Sequence, residues 1–240
     1  MILFVGESED SILYFVSRCE ISSQERLSEG RILYKGTIGS EQIGICAVGP
    51  NNLYSAMVTD RLIHLLDPYI VINVGYCASM KDSLRQGDLF IADRYYLSGV
   101  DFSGDGENQY GQIPGLPPFF YASTEVNAKA EAASYEVGGG HYIERGFMLS
   151  GEKEYMDKEE FDGILLRHFA GSTKVSAYDT VSGGIALACH VNSTALLTLK
   201  VIAYEPGNDE QRLNYRRKGL EAMPDIGRIL LNILLNSEKM

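Results

Sequence analysis

Apolar residues recur along the chain in short runs, and stretches with helical periodicity lie between them. Six of these runs predict strands: ILFV (2–5), RILYKGTI (31–38), IGICAV (43–48), YIVINVG (69–75), DLFIAD (88–93) and the run from 196 to 203. The segment IVINV is apolar at nearly every position, which is typical of a central strand buried on both faces. The alternation of strands and helices predicts an α/β fold.

Six segments between the strands have the apolar spacing of helices. They are 8–18, 53–66, 125–136, 157–168, 184–192 and 211–235. Pro224 should break or kink the last helix, because proline removes a backbone donor and clashes with the preceding turn. The runs 31–38 and 43–48 predict an antiparallel hairpin, so the sheet should be mixed. No linker interrupts the pattern, and we expect one domain over 1–240.

The composition limits the binding partners and the cellular compartment that we expect for this protein. The 240 residues carry a net charge of −11, which argues against nucleic acid and anionic membranes as partners because both need a basic surface. Cys19, Cys46, Cys77 and Cys189 are widely spaced in apolar surroundings, and they predict reduced core thiols in a cytoplasmic protein. Met1 leads into a short apolar run that resembles neither a signal peptide nor a membrane span.

Residues that could bind a ligand or take part in catalysis follow two of the predicted strands. The segment NVGYCAS places Tyr76 and Cys77 at the end of a buried strand, where open α/β sheets bind ligands. A nucleophilic Cys77 would need a base and a lowered pKa, and neither is supplied nearby in the sequence. Glu7, Glu9 and Asp10 follow the first strand, although acidic residues in a first helical turn also complement the helix dipole. No spacing implies a metal or an organic cofactor.

The segment YGQIPGLPP (110–118) has three prolines, two glycines and two apolar side chains. It therefore predicts a stiff loop with enough apolar surface to close a core or a neighbouring cleft.

With NVGYCAS, RGFMLSGEKEY and the opening VGESED, this loop resembles the 5′-methylthioadenosine/S-adenosylhomocysteine nucleosidase family of the purine nucleoside phosphorylase-like superfamily. The similarity covers essentially the whole chain. It implies a twisted mixed sheet flanked by helices and a homodimer, in which Pro114 reaches across to wall the partner's pocket.

The resemblance also implies a reaction. The family hydrolyses the N-glycosidic bond to adenine through an oxocarbenium-like sugar cation. An aspartic acid helps to protonate the purine, a glutamate activates water and a second glutamate holds the ribose hydroxyls.

This sequence departs from the family at these positions. Ala203 and Tyr204 stand where the family has Ser-Asp, and Glu205 comes one residue later. Ser11 matches the water-activating glutamate, with Glu9 two residues earlier. We therefore take Glu9 and Glu205 as candidate catalytic residues that have shifted in position.

The candidate substrate-binding residues follow from the same resemblance. Asp179, Thr180 and Val181 match the family's Glu-Met-Glu run, and Tyr76, Cys77 and Ala78 lie in its glycine-rich turn. The full set is Pro50, Tyr76, Cys77, Ala78, Val100, Pro114, Tyr155, Asp179, Thr180, Val181 and Tyr204.

Three hypotheses remain open from the sequence. The first is a divergent nucleosidase that binds an adenine nucleoside thioether and hydrolyses it with shifted acids, Glu205 or Asp209 for the purine and Glu9 or Asp10 for water. The second is a catalytically silent homodimer that binds a nucleoside or another small molecule. The third is an enzyme of the same superfamily with a different substrate, in which Tyr76 and Tyr155 reshape the pocket.

Overall fold

The computed structural model describes residues 1–28, 30–137, 140–154, 157–169 and 174–235. Within them the strands are β1 (Ile2–Gly6), β2 (Glu20–Arg26), β3 (Ile32–Ile38), β4 (Glu41–Ala47), β5 (Ile70–Ser79), β6 (Leu89–Leu97), β7 (Phe120–Tyr121), β8 (Ile143–Ser150), β9 (Val175–Asp179) and β10 (Ala195–Tyr204). The helices are α1 (Glu9–Val16), α2 (Asn52–Leu66), α3 (Thr124–Val137), α4 (Lys158–His168), α5 (Ser182–Val191), α6 (Asp209–Glu221) and α7 (Met223–Leu235).

These strands form one mixed sheet, which confirms the predicted single-domain α/β fold. The order is β10-β6-β8-β9-β5-β1-β4-β3-β2, and β10 also pairs with β5. The strands β5, β10, β6, β8 and β9 therefore close into a ring, while β1, β4, β3 and β2 extend from it. β5 is buried at every position, as expected for a strand covered on both faces.

The predicted hairpin and the predicted helix break are both confirmed. β3 and β4 pair in antiparallel register from Leu33↔Cys46 to Ile38↔Glu41. The C-terminal helical segment is divided into α6 and α7 at Ala222, two residues before Pro224. Four strands were not predicted, namely β2, β7, β8 and β9. β2 is a mostly exposed edge strand with a polar sequence, so it has no apolar alternation to detect.

Two apolar cores lie against the sheet. The larger one includes Phe4, Ile72 and Leu199 together with α7, and the other includes Val71, Leu62 and Ile185 from the α2 and α5 side. α5 approaches α2 closely, because a Cβ on Gly184 would lie 2.1 Å from the Asn52 carbonyl oxygen. No helix in the described ranges is long and apolar enough to cross a membrane.

Candidate functional site

A cavity of about 140 Å³ opens where several strands end at their C-termini. Its walls come from the ends of β1, β5, β9 and β10, from the segments after β4 and β8, and from α6. The lining residues are Glu7, Pro50, Tyr76, Cys77, Ala78, Glu152, Glu154, Tyr178, Asp179, Thr180, Tyr204, Tyr215 and Arg216. This is the edge of an α/β sheet at which ligands usually bind.

Asp179, which lines the cavity, belongs to a buried ion pair. Lys200 extends from the middle of β10, and its Nζ lies 2.5 Å from Oδ2 of Asp179 at the end of β9. The Lys200 side chain is fully buried, and that of Asp179 is only 3% exposed. A lysine in an apolar strand needs such a partner, because an unpaired buried charge is strongly destabilising.

Asp179 is also held by hydroxyl and backbone donors. Ser150 Oγ and Ser182 Oγ donate to its carboxylate at 2.8 Å and 2.5 Å, and the Ser182 backbone N–H donates at 3.0 Å. Burial by itself would raise the pKa of Asp179, but Lys200 and these hydrogen bonds lower it below its usual range. Asp179 is therefore a fixed anion at the floor of the site.

Glu7 differs from Asp179 in the direction in which its surroundings shift its pKa. It is the first residue after β1, and its carboxylate accepts a hydrogen bond from the Tyr76 hydroxyl. Burial raises the pKa of Glu7, while Lys200 opposes that shift. A carboxyl whose pKa is raised is more easily protonated, so it can exchange a proton with a bound reactant.

Glu154, Tyr215 and Arg216 form a connected group at the cavity mouth. The Tyr215 hydroxyl and Arg216 Nη2 both donate to Glu154 Oε1, at 2.5 Å and 2.9 Å. Arg216 Nε also donates to the Tyr215 hydroxyl at 2.7 Å. The contacts join α6 to the segment that follows β8, across the opening.

Most of the predicted substrate-binding residues line this cavity. They are Pro50, Tyr76, Cys77, Ala78, Asp179, Thr180 and Tyr204. Burial raises the pKa of the Cys77 thiol, so the reactive thiolate is disfavoured.

Four other predicted positions do not line it. Val181 is fully buried at the N-terminus of α5, and Pro114 is exposed in a turn. Val100 lines a neighbouring cavity, and Tyr155 lies outside the described residues.

The two candidate catalytic residues, Glu9 and Glu205, do not line this cavity. Glu9 faces a separate cavity near Arg31. Glu205 is ion-paired with Arg85 at 3.2 Å and lines a third cavity together with Lys153 and Asn208. Each residue is displaced because neighbouring side chains at a strand end point in different directions.

Several residues of the site were missed from the sequence. Lys200 carried a detectable signal, since it is the single charge inside the apolar strand LLTLKVIAY. Glu7 could have been preferred to Glu9, because the residue immediately after a parallel strand lies at the ligand-binding edge. Tyr215, Arg216 and Glu152 gave no local signal, since tertiary packing alone brings them to the cavity.

An adjoining cavity of about 520 Å³ shares Glu152 and Tyr178 with the first. Its walls are mostly apolar and include Leu53, Val100 and Ile113. Leu53 is 78% exposed, so the face has no cover within the described part of the chain. In those same ranges, no group of three His, Cys, Asp or Glu side chains could hold a metal ion.

Comparison with known proteins identifies the family. Residues 2–234 match the family model described as the phosphorylase superfamily. The chain belongs to the phosphorylase superfamily. It is 27% identical over 186 residues to a 5′-methylthioadenosine/S-adenosylhomocysteine nucleosidase of Halalkalibacterium halodurans, covering 78% of the chain and 77% of that relative. It is 25% identical over 182 residues to the nucleosidase of the same name from an Exiguobacterium species, covering 76% and 75%.

Two solved structures share the fold of this chain. S-adenosylhomocysteine nucleosidase from Streptococcus pyogenes, in complex with 5-methylthiotubericidin, superposes with a TM-score of 0.87 at 19% identity, covering 98% of this chain and 96% of that one. Futalosine hydrolase of Helicobacter pylori superposes with a TM-score of 0.84 at 18% identity, covering 95% and 96%. The resemblance to the nucleosidases that the sequence predicted is confirmed by these relatives.

Proposed function

We propose that the protein hydrolyses the N-glycosidic bond of an adenine nucleoside with a thioether at its 5′ carbon. The proposal is supported by one observation above all: a carboxyl with a raised pKa, Glu7, lies beside the fixed Asp179–Lys200 pair in one cavity. The curated relatives are named as nucleosidases for methylthioadenosine and S-adenosylhomocysteine, which supplies the substrate class.

Glu7 takes the role of general base in this proposal. The C1′–N9 bond breaks with its electron pair moving to the purine, and a water molecule adds to C1′ of the resulting sugar cation. The Glu7 carboxylate accepts the proton that this water loses. The hydrogen bond from Tyr76 orients the carboxyl toward the cavity.

The departing purine needs a proton, and Glu152 is the proposed donor. Burial raises the pKa of Glu152, although hydrogen bonds from Asn52 and Leu53 oppose the shift. It lines the same cavity as Glu7, so two carboxyls with raised pKa values face one bound substrate. Glu205, our first candidate for this role, is engaged by Arg85 instead.

The charges of the cavity favour water over phosphate as the second substrate. Four carboxyl groups line it, those of Glu7, Glu152, Glu154 and Asp179. Arg216, which lines the cavity, is paired with Glu154, and the nearby Lys200 is paired with Asp179. A phosphate ion would therefore meet net repulsion and would find no unpaired cation among the described residues that line the cavity.

We propose further that the protein is a homodimer in which Pro114 completes the partner's site. The loop 110–118 is stiff, because the Tyr110 ring stacks on His168 with centroids 3.7 Å apart and Gly111 N–H donates to the Val100 carbonyl oxygen. Pro114 itself is exposed. The uncovered apolar cavity beside the site, with Leu53 and Val100 in its walls, is where an apolar group from a second copy would fit.

A silent binding protein is the second candidate. It is favoured by Tyr204, which occupies the position of the family's purine-protonating aspartate and packs against Tyr215. In this case the cavity would hold the nucleoside without cleaving it.

One experiment separates these functions. Methylthioadenosine and S-adenosylhomocysteine are incubated with the protein at high concentration, with and without phosphate, and adenine is quantified by chromatography. Phosphate-independent release supports hydrolysis, and release that requires phosphate contradicts it. Thermal stabilisation by the nucleoside without any release supports the silent candidate.

A further inference from the structure

The buried side chain of Asn52 connects three elements around the proposed active site. Asn52 is the first residue of α2, and it is only 8% exposed. Its Nδ2 donates to the Gly151 carbonyl oxygen at 3.2 Å, and its Oδ1 accepts from the Gly184 backbone N–H at 2.9 Å. The amide therefore holds the segment after β8 against the first turns of α2 and α5. A buried amide with partners at both ends fixes the backbone that surrounds it.

The same residue contacts Glu152, the proposed proton donor. The Glu152 carboxyl accepts hydrogen bonds from the Asn52 side-chain amide and from the backbone N–H groups of Asn52 and Leu53. These two N–H groups belong to the first turn of α2, where a helix offers them no partner of its own. Asn52 thus supplies two of these three donors. They hold a carboxyl that lines both the first cavity and the adjoining apolar one.

A second contact extends from Asn52 toward Asp179. Ser150 Oγ lies 2.9 Å from Asn52 Oδ1 and 2.8 Å from Asp179 Oδ1, so this hydroxyl bridges the two side chains. Asn52 itself lines the adjoining apolar cavity and does not line the cavity proposed for the nucleoside. An effect of Asn52 on the purine must therefore pass through the carboxyls that it holds.

We propose that Asn52 is a positioning residue for the reaction, and that it acts by holding the Glu152 carboxyl beside the departing purine. This inference rests on the proposed function, in which Glu152 donates a proton to that purine. A neutral amide orients a carboxyl with less stabilisation of its ionised form than a cation would give. The neighbouring Lys153 pairs with Glu160 instead. An amide at this place therefore fixes the acid and still allows it to be protonated.

The test replaces this amide by a carboxylate of the same shape. In Asn52→Asp one oxygen keeps the bond from Gly184, and the other takes the place of Nδ2 against Glu152. The midpoint of the Glu152 titration should rise by about one pH unit, because a donor is lost and a like charge is gained. Carbon-13 NMR of protein labelled at the glutamate carboxyls measures this midpoint, and Glu152→Gln assigns the signal. An unchanged midpoint would overturn the proposal.

Asn51→Asp is the matched control. It adds the same charge one residue earlier and keeps the helix cap, since Asn51 Oδ1 accepts from the Tyr54 backbone N–H at 2.9 Å and aspartate can do the same. The Glu152 midpoint should stay close to that of the wild type, and a rise equal to that of Asn52→Asp would contradict a specific role for Asn52. The other groups that face Glu152 are the same in both variants, namely Glu7, Glu154, Asp179 and Arg216 in the first cavity and Lys153 and Tyr178 in the adjoining one.

A second variant covers the case in which Asn52→Asp does not fold. Asn52→Ala removes the donor without adding a charge, so the Glu152 midpoint should rise in the same direction by a smaller amount. A midpoint that does not rise in this variant would overturn the proposal as well.

The pH profile of adenine release tests the link to the reaction. In Asn52→Asp the alkaline limb of kcat for methylthioadenosine should move upward with the Glu152 midpoint, and KM should change little. A purely structural role would lower kcat at every pH, and a limb that stays in place would overturn the role of Asn52 in the reaction. If the wild type releases no adenine, the proposed function fails, whereas the NMR midpoints still decide whether Asn52 holds Glu152.

Discussion

The ammonium of Lys200 and the carboxylate of Asp179 form an ion pair of 2.5 Å in the interior of the protein, at the floor of the cavity. The pair joins β10 to β9, and it sets the electrostatic environment of Glu7, on whose pKa both residues act. A cavity that combines such a fixed pair with a protonatable carboxyl is suited to chemistry in which positive charge develops on a sugar.

Replacing Lys200 should strongly destabilise the protein. Lys200→Met leaves Asp179 buried without its cation, and the free energy of unfolding should fall by about 3–5 kcal/mol. Chemical denaturation measures the change. The double variant Lys200→Met with Asp179→Asn should recover much of the loss, since the amide oxygen still accepts from Ser150 Oγ and the Ser182 backbone N–H. Equal stability of the wild type and Lys200→Met would contradict the ion pair.

Glu7→Gln should stabilise the protein at neutral pH. The folded-state pKa of Glu7 is raised above its ordinary value of 4.5, so the folded state binds more protons than the unfolded state in the interval between those two pKa values. Stability of the wild type therefore decreases as pH rises through that interval, and the glutamine variant lacks this loss.

Thermal unfolding from pH 4 upward tests this, with the Tm difference between variant and wild type growing as pH increases. Glu205→Gln is the control, because it removes an ion pair with Arg85 and should not gain stability with pH. A Tm difference for Glu7→Gln that is constant with pH would argue against a raised pKa.

The cavity cysteine should be inert toward alkylating reagents. Burial raises the pKa of Cys77, and it raises that of Cys189 to about 12, so both remain neutral thiols at pH 8. Iodoacetamide should leave both unmodified in the native protein, and Cys19, which is half-buried, should react first. Mass spectrometry of digested samples identifies which cysteines have been alkylated. Rapid labelling of native Cys77 would revive the hypothesis of a reactive thiol.

Pro114→Gly should impair catalysis in the dimer. Losing an apolar wall equivalent to one or two CH₂ groups, at roughly 0.8 kcal/mol each, should raise KM for methylthioadenosine by about tenfold. Pro118→Gly is the matched control, since it softens the same loop from a half-buried position away from the tip. Light scattering should show that the wild-type protein is a dimer, because the proposed role of Pro114 requires a second copy of the chain. A clean monomer with full activity would refute the proposed role of Pro114.

The sequence predicted the parts of the fold that have strong local patterns. Apolar runs located β1, β5 and β10, and Pro224 marked the end of α6. β9 was missed because VSAYD is short and its burial comes entirely from neighbouring strands. Sequence patterns identify strands and helices whose own residues show the apolar periodicity. They miss elements whose secondary structure depends on packing against neighbouring strands.

The candidate site also contains residues that local sequence patterns located and residues that only tertiary packing brings there. Tyr76, Asp179 and Tyr204, which remain predicted binding residues, line the cavity because each lies at or near the end of a strand. Glu9 and Glu205 were each assigned by counting residues from a related motif, and a displacement of one or two residues sends a side chain to a different surface. Arg216 reaches the cavity from α6, and no local rule relates it to β1.

The most direct test of the central claim compares adenine release by the wild type, Glu7→Gln and Glu205→Gln. Removing a general base typically lowers the rate by about 10²–10⁴-fold, so Glu7→Gln should lose nearly all release from methylthioadenosine while remaining folded. Glu205→Gln should retain it, because Glu205 lies in another cavity. Full activity in Glu7→Gln, or loss only in Glu205→Gln, would contradict the assignment of Glu7 as the catalytic carboxyl.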